Sequence, residues 1–170
     1  DPAQSGPGGS LGDIGTHAYN LACFVTGLTC RELAAELSTF VTGRRVDDNV
    51  QIMLRFEEGA RGLLWASQVA TANQNNLRLR VYGEKGGLEW RQEEPNCLWF
   101  SVLGKPRGLI YRAGPAAGPV AAHASRVPAG HPEGYLEAFA QLYADVGEQL
   151  SARIEGRSPS PASLLVPTVE

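Results

Sequence analysis

A chain of 170 residues is long enough to bury a hydrophobic core, and its 43% hydrophobic content is ordinary for a water-soluble protein. The net charge of −3 gives no reason to expect a nucleic-acid partner, and no apolar run reaches membrane-spanning length. Cys23, Cys30 and Cys97 have no CxxC spacing. They are interpreted as reduced thiols of a cytoplasmic protein, not as a disulfide framework or a metal site.

The first predicted element is a helix that follows a glycine-rich stretch at residues 6–9. Ser10 is predicted to be its N-cap, and Gly27 is predicted to be the glycine that ends it. Between these positions apolar residues recur at helical spacing: Leu11, Ile14, Ala18, Leu21, Ala22 and Val25. Residues 1–9 have the composition of a loop, and we expect the chain to be a piece of a longer protein.

Two polar residues of this helix are candidates for chemistry. Asp13 and His17 are four apart, which places them on one helix face, away from the apolar face. A carboxylate one turn before an imidazole can orient the ring, and such a pair suits proton transfer at a hydroxyl or carbonyl carbon. Two structural alternatives remain open. The helix dipole alone favours an acid in the first turn, and a single histidine on a helix is more often structural than catalytic.

The middle of the chain alternates apolar and polar residues, which is the period of β-strands. Short turn-like segments separate the alternating stretches, so we predict an antiparallel meander of about seven strands. They are predicted at residues 31–41, 49–56, 60–70, 77–82, 88–91, 97–103 and 109–112. In the first of these strands the local propensity favours a helix instead, because residues 31–37 are also good helix formers.

The last part of the chain is predicted to be a loop and a second helix. Residues 113–130 are rich in Ala, Gly and Pro and favour a loop, either a flap near the site or a plain surface connection. The helix is predicted from Pro132 to about Arg153, with Gly156 as its end. His131 directly precedes this helix, where it could face a ligand. A capping or solvent-facing histidine is the alternative.

Together these elements predict one α+β domain over residues 1–170. Its sheet is mostly antiparallel and open-faced, with about six to eight strands and with helices covering one face. Apolar side chains occur on both faces of several strands; in the third, Leu63 and Trp65 point away from Leu64 and Ala66. Two helices can cover only one face, so we expect the other to form the interface of a homodimer or tetramer.

Three stretches resemble the substrate domain of the glucose-fructose oxidoreductase, inositol dehydrogenase and MocA (Gfo/Idh/MocA) family. They are Gly9-Ser10-Leu11-Gly12-Asp13-Ile14-Gly15-Thr16-His17, Val81-Tyr82-Gly83-Glu84-Lys85-Gly86-Gly87-Leu88-Glu89-Trp90 and His131-Pro132-Glu133-Gly134-Tyr135-Leu136-Glu137-Ala138-Phe139. In that family an Asp-x-Gly-x-His motif lies beside the nicotinamide and contacts the substrate. The resemblance implies that Asp13 and His17 are catalytic and that His131 and Tyr135 bind substrate.

The resemblance also implies a function: the substrate-binding and oligomerisation domain of an NAD(P)-dependent oxidoreductase acting on a sugar, cyclitol or related polyol. His17 would bind the reacting hydroxyl and act as acid and base, or assist a lysine. Asp13 would orient His17 or bind a neighbouring hydroxyl. In the family, NAD or NADP is bound mainly by a preceding Rossmann domain, which also supplies a catalytic Lys in a Glu-Lys-Pro motif. Neither is found here, because residues 83–87 have the form of a tight strand turn and Lys105 follows Gly104.

A non-catalytic binding or assembly module with the same fold is the alternative, since a fold alone does not define a function. A Rossmann fingerprint and a Glu-Lys-Pro motif upstream in the gene would favour the enzyme; a natural start codon just before Asp1 would favour the module. No cofactor-binding residue is assigned in this chain, and no metal is expected. We therefore predict that the chain alone is inactive and that it belongs to a cytoplasmic protein with no membrane partner.

Overall fold

The computed structural model describes residues 2–167 and divides the chain after Leu79 into two compact units. The strands of the described range are β1 (Cys30–Ser38), β2 (Asn49–Phe56), β3 (Arg61–Ser67), β4 (Arg78–Gly83), β5 (Gly86–Arg91), β6 (Cys97–Val102) and β7 (Gly108–Tyr111). The α-helices are α1 (Pro2–Ser5), α2 (Thr16–Thr26), α3 (Pro119–Ala124) and α4 (Tyr135–Glu155). None of the helices within residues 2–167 combines the length and the apolar character that crossing a membrane requires.

The first unit contains a three-stranded antiparallel sheet in the order β1-β2-β3. The central strand β2 alternates as predicted, with every second side chain buried on one face. The buried cluster of this face consists of Val50, Ile52, Leu54, Phe56, Leu64 and Ala66. Leu11, Ile14 and Ala18 pack against this cluster, so the first predicted helix covers one face of the sheet.

The strand β1 forms although its sequence also favours a helix. It pairs with β2 along almost its whole length, with Leu33 opposite Leu54 and Leu37 opposite Val50. Backbone pairing with a neighbouring strand outweighs local propensity here. The strand prediction is confirmed for residues 31–38, and residues 39–41 of the predicted range lie in the connection to β2.

The second sheet has four strands in the order β4-β5-β6-β7, and β6 is antiparallel to both of its neighbours. The α+β class and the antiparallel strands are confirmed, and the seven strands of the described range are distributed over two sheets. Between β3 and β4 the chain contains Ala72 and Asn76, which have φ of 68° and 54°. Because left-handed residues cannot continue a strand, the ladder is interrupted at this connection.

The helix α4 begins at Tyr135, three residues after the predicted start at Pro132. The Gly134 N–H donates to Glu137 Oε2 at 2.9 Å, which satisfies one of the free donors at the helix start. Gly156 has φ of 67° and ends the helix, as predicted. Beyond that end, hydrogen bonds from the Arg157 guanidinium and then the Ser160 N–H lower the pKa of Glu148 to about 2.

The prediction of a loop over residues 113–130 is wrong in part, because α3 lies within it. Pro119 lies in the first turn of α3. Backbone N–H groups in the first turn have no acceptor within the helix, so the N–H that proline lacks costs no helical hydrogen bond there. His123 of α3 forms a hydrogen bond with the buried Asp145 of α4, Nε2 to Oδ1 at 2.8 Å. Contact with α4 therefore stabilises a short helix that composition alone does not indicate.

Candidate functional site

The first candidate group, Asp13 and His17, lies near the start of the first long helical segment. The carboxylate of Asp47 accepts hydrogen bonds from the Gly9 N–H at 3.0 Å and from the Leu11 N–H at 2.8 Å. The Asp47 carbonyl oxygen accepts from the Ser10 N–H at 2.9 Å. These bonds satisfy three backbone donors at the helix start, so a residue 38 positions away fixes where the helix begins.

The prediction that Ser10 is the N-cap is wrong. Ser10 has helical dihedrals, φ −57° and ψ −36°, and its side chain makes no capping bond. Its hydroxyl is buried without a hydrogen-bond partner among the described residues. Asp47 supplies the capping carboxylate instead, and this requires glycine at position 9, since a Cβ on Gly9 would overlap the Asp47 carbonyl oxygen.

The segment Leu11–Gly15 is a π-helical turn that continues into α2. The Thr16 N–H is directed to the Leu11 carbonyl, five residues earlier, instead of four as in an α-helix. Asp13 lies inside this turn, and His17 lies in the first turn of α2. Single π turns within helices occur frequently at functional sites. The predicted helix therefore contains a local irregularity at the position of the candidate residues.

Asp13 and His17 are both exposed. Within the described chain no hydrogen bond or ion pair joins the two side chains. The carboxylate of Asp13 instead accepts a hydrogen bond from Gln68, Nε2 to Oδ2 at 3.3 Å. Among the described residues, no side chain forms a hydrogen bond with the His17 imidazole, and none donates to Asp13 Oδ1.

A buried carboxylate next to the helix cap supports this region. The side chain of Asp48 has no exposed surface and accepts from the N–H groups of Phe40 and Val41 at 2.9 and 3.0 Å. Burial alone would raise the pKa of Asp48, but these two N–H groups and the nearby Arg44 guanidinium outweigh it and lower the pKa. The ionised form of Asp48 is thus the one that the fold stabilises.

The lowered pKa of Asp48 predicts that the first unit loses stability in acid. Because the pKa of Asp48 is lower in the folded chain, its contribution to stability is complete above the unfolded value of about 3.9 and is lost as the pH falls through the folded value. We expect Asp48→Asn to lower the melting temperature at pH 7 and to flatten its dependence on pH below about 4. Thermal unfolding followed by circular dichroism from pH 7 to pH 2 tests this. Equal slopes for the two proteins would contradict it.

The second candidate group, His131 and Tyr135, lies in the second unit. The guanidinium of Arg112 donates to the carbonyl oxygens of Val127 at 2.8 Å and His131 at 2.6 Å, and it pairs with Glu133 at 2.9 Å. Arg112 thereby holds the backbone that leads into α4. The side chains of His131 and Tyr135 are both exposed.

Sequence reasoning missed the contribution of Arg112 and of Asn96. Asn96 Oδ1 accepts from Arg112 Nε at 2.7 Å, and Asn96 Nδ2 donates to the Glu133 carbonyl at 2.9 Å. Beside these residues lies an open cleft of about 530 Å³, lined in part by Asn96, Cys97 and four glutamates. His131 and Tyr135 are not among the residues that line it. The only sequence signal for Arg112 was its position at the end of the last predicted strand.

The structure brings Asp13 close to Gln68 in the first unit and anchors His131 through Arg112 in the second. Each of these contacts lies within its own unit. Among residues 2–167, no three or more His, Cys, Asp or Glu side chains are grouped so that they could hold a metal ion.

Comparison with known proteins agrees with the fold and the motif. The sequence model of the GFO/IDH/MocA C-terminal domain matches residues 1–89, just over half of the chain. An oxidoreductase from Sinorhizobium meliloti is 52% identical and superimposes with a TM-score of 0.86 over 91% of this chain and 43% of its own. An inositol dehydrogenase homolog from Azotobacter vinelandii, solved with NADH and myo-inositol, is 33% identical with a TM-score of 0.84, over 89% and 40% of the two chains.

A third relative is a levoglucosan dehydrogenase from Pseudarthrobacter phenanthrenivorans, which is 28% identical in an alignment that covers 64% of this chain and 34% of that protein. The chain spans about a third of the length of the curated relatives that it matches. The antiparallel sheets and these matches are those of a GFO/IDH/MocA C-terminal domain. The chain belongs to the GFO/IDH/MocA family.

Proposed function

We propose that this chain is the substrate-binding and oligomerisation domain of an NAD(P)-dependent oxidoreductase that acts on a sugar, cyclitol or related polyol. The observation that carries the proposal is the exposed pair Asp13 and His17 at the π-helical start of the first helix, in a chain of this family. The relatives solved with myo-inositol and with levoglucosan support a polyhydroxylated substrate.

The chemistry of the two side chains suits such a substrate. The free imidazole of His17 can accept the proton of a reacting hydroxyl and return it in the reverse direction. The unoccupied Oδ1 of Asp13 can accept a hydrogen bond from a neighbouring hydroxyl, which orients the reacting carbon. His131 and Tyr135 are proposed as weaker substrate contacts, because both are exposed beside the anchored start of α4.

The described residues do not fit the phosphates of a nicotinamide cofactor. The N–H groups of Gly9, in the glycine-rich segment, and of Leu11, at the start of the π turn, already donate to the Asp47 carboxylate, whose charge disfavours a pyrophosphate. A second glycine-rich segment, residues 83–87, joins two paired strands and does not lead from a strand into a helix. We therefore propose that NAD or NADP is bound mainly by a separate nucleotide-binding domain of the complete oxidoreductase.

The test of the proposed function is a substrate survey with the complete oxidoreductase. Reduction of NAD and of NADP is followed at a fixed substrate concentration with inositols, aldoses, anhydrosugars and simple alcohols. We expect turnover with at least one cyclic polyol or sugar, and none with simple alcohols. A complete protein that oxidises none of the polyhydroxylated compounds with either cofactor would contradict the proposal.

The proposed assignment of the cofactor to a separate domain leads to a prediction about the isolated chain. We expect the 170-residue chain alone to bind NADH with a dissociation constant well above the micromolar range and to show no turnover. Fluorescence titration of NADH with the purified chain measures this, with the complete oxidoreductase as positive control. Micromolar binding by the chain alone, with enhanced nicotinamide fluorescence, would show that the cofactor assignment is wrong.

The proposed oligomerisation role rests on the outer face of the first sheet, the face opposite its buried cluster. Ala34, Met53 and Leu63 lie side by side across the three strands on this face. Met53 is 62% and Leu63 is 86% exposed. A row of exposed apolar side chains across a sheet is the pattern of a surface that another protein covers. A second copy of this chain would cover it through a twofold interface.

A further inference from the structure

A glutamine outside the family motif contacts the candidate catalytic carboxylate. Gln68 directly follows β3, and its Nε2 donates to Asp13 Oδ2 at 3.3 Å, across a separation of 55 residues in sequence. Among the described residues, no other side chain donates to the Asp13 carboxylate. The orientation of the Asp13 carboxylate therefore depends on one side chain, that of Gln68 just after β3.

The backbone of Gln68 is itself anchored. Its N–H donates to the Asp48 carbonyl oxygen at 2.8 Å, and the hydroxyl of Ser67 points to the same oxygen at 3.5 Å. Asp48 has no exposed surface, and its carboxylate is bonded to the backbone after β1. Gln68 therefore leaves the sheet from a fixed position, although its side chain is exposed.

The segment that carries Asp13, the partner of Gln68, is anchored by Asp47, the residue before Asp48. Asp47 binds the N–H groups of Gly9 and Leu11 and so fixes the start of the segment that contains Asp13. Two adjacent residues, Asp47 and Asp48, thus hold both ends of the hydrogen bond between Asp13 and Gln68. Because each end is held through backbone atoms, the separation of the two side chains is set by the fold and not by side-chain rotation alone.

We propose that Gln68 is a positioning residue that acts through Asp13. The amide N–H engages Oδ2, which directs Oδ1 toward the substrate as the one acceptor for a hydroxyl. A planar amide that donates to one carboxylate oxygen restricts rotation of the carboxylate, so the free oxygen keeps a single direction. The inference rests on the proposed function, because it requires that Asp13 contacts the substrate.

A purely structural role would give a different result. Both residues are exposed, and an exposed hydrogen bond contributes little to the free energy of unfolding because water competes for both groups. Loss of the bond should therefore leave the melting temperature unchanged and appear only in the kinetics. Gln74 lies on the loop after β3 and is also exposed, which makes it a matched control for the same substitution.

The test uses the complete oxidoreductase with the polyol that it oxidises best. We expect Gln68→Ala to lower kcat/KM about tenfold, the order expected for one hydrogen bond to a charged group. We expect a larger loss for Gln68→Glu, which has the same length but places a second carboxylate beside Asp13. Gln74→Ala should match the unsubstituted enzyme, and all melting temperatures should agree. Unchanged kinetics in both Gln68 variants, or a matching fall in melting temperature, would overturn the inference.

A double-mutant cycle separates this inference from the proposed function. If Gln68 acts through Asp13, Gln68→Ala should cause little further loss in the Asp13→Asn background. A full, additive loss there would mean that Gln68 acts independently of Asp13, and the inference would be wrong while the proposed function stands. If Asp13→Asn and His17→Ala both retain normal kcat, the proposed function fails, and the inference fails with it.

Discussion

Replacing His17 with alanine in the complete oxidoreductase is expected to lower kcat by about 10²–10⁴-fold, the usual contribution of a general acid or base. The physical reason is the position of the imidazole, which is exposed on the first turn of α2 and makes no side-chain hydrogen bond in the described chain. A histidine in this setting is available to take up and return the proton of a substrate hydroxyl. Initial rates at saturating polyol and cofactor measure the effect.

The same position predicts that the fold tolerates the substitution. His17 contributes no buried surface to the core and caps no helix, so the melting temperature of His17→Ala should stay within a degree or two, as for ordinary surface substitutions. Asn20→Ala is the matched control, because Asn20 is also an exposed polar residue of α2. We expect it to retain full kcat. A kcat near that of the unsubstituted enzyme in His17→Ala would remove His17 from the proposed mechanism.

The core of the first unit could be predicted from the sequence because its central strand obeys a local rule. Every second residue of β2 is apolar, and the face with Val50, Ile52 and Leu54 is the buried one. Gly27 was predictable for the same reason, since a glycine after a helical period favours a left-handed end, and its φ is 68°. Such features depend only on neighbours in sequence.

The start of the first helix depends on residues that are distant in sequence, and the prediction was wrong there. Ser10 has a side chain that often caps helices, but here the Asp47 carboxylate accepts the hydrogen bonds from the backbone N–H groups of Gly9 and Leu11. A carboxylate that binds two N–H groups forms stronger hydrogen bonds than a serine hydroxyl, because its charge assists both. Nothing within the first 27 residues indicates this partner. The short helix α3 was missed likewise, because its contact with Asp145 lies 22 residues away.

The candidate site was predictable only as far as a motif extends. Asp13 and His17 follow from the resemblance of residues 9–17, and their roles remain predictions. Gln68 has no sequence signal of its own, because it stands where a strand ends and a loop begins. Its relation to Asp13 exists only once β3 and the π turn are placed side by side. A motif thus indicates candidate site residues more readily than the neighbours that the fold places beside them.

The outer face of the first sheet gives the last prediction, which concerns assembly. Trp65 lies on the same face as Met53 and Leu63 and is 62% exposed. Its indole Nε1–H donates a hydrogen bond to Asn49 Oδ1 at 2.8 Å. At one end of the face Arg55 pairs with Glu32 at 3.1 Å. An apolar centre beside a charged edge is the arrangement of stable protein interfaces.

We expect the chain to sediment as a dimer or a larger oligomer at micromolar concentration, and the double variant Met53→Glu with Leu63→Glu to sediment as a monomer of about 18.2 kDa. In a twofold interface each substitution occurs twice, so four carboxylates would be buried at close range, which costs far more than a surface contact can return. Val120→Glu in α3 is the control, because Val120 is 56% exposed and lies outside the sheet. Equal circular dichroism spectra establish that the variants are folded. An unsubstituted chain that sediments as a monomer with no dependence on concentration would show that this face is not a self-association surface.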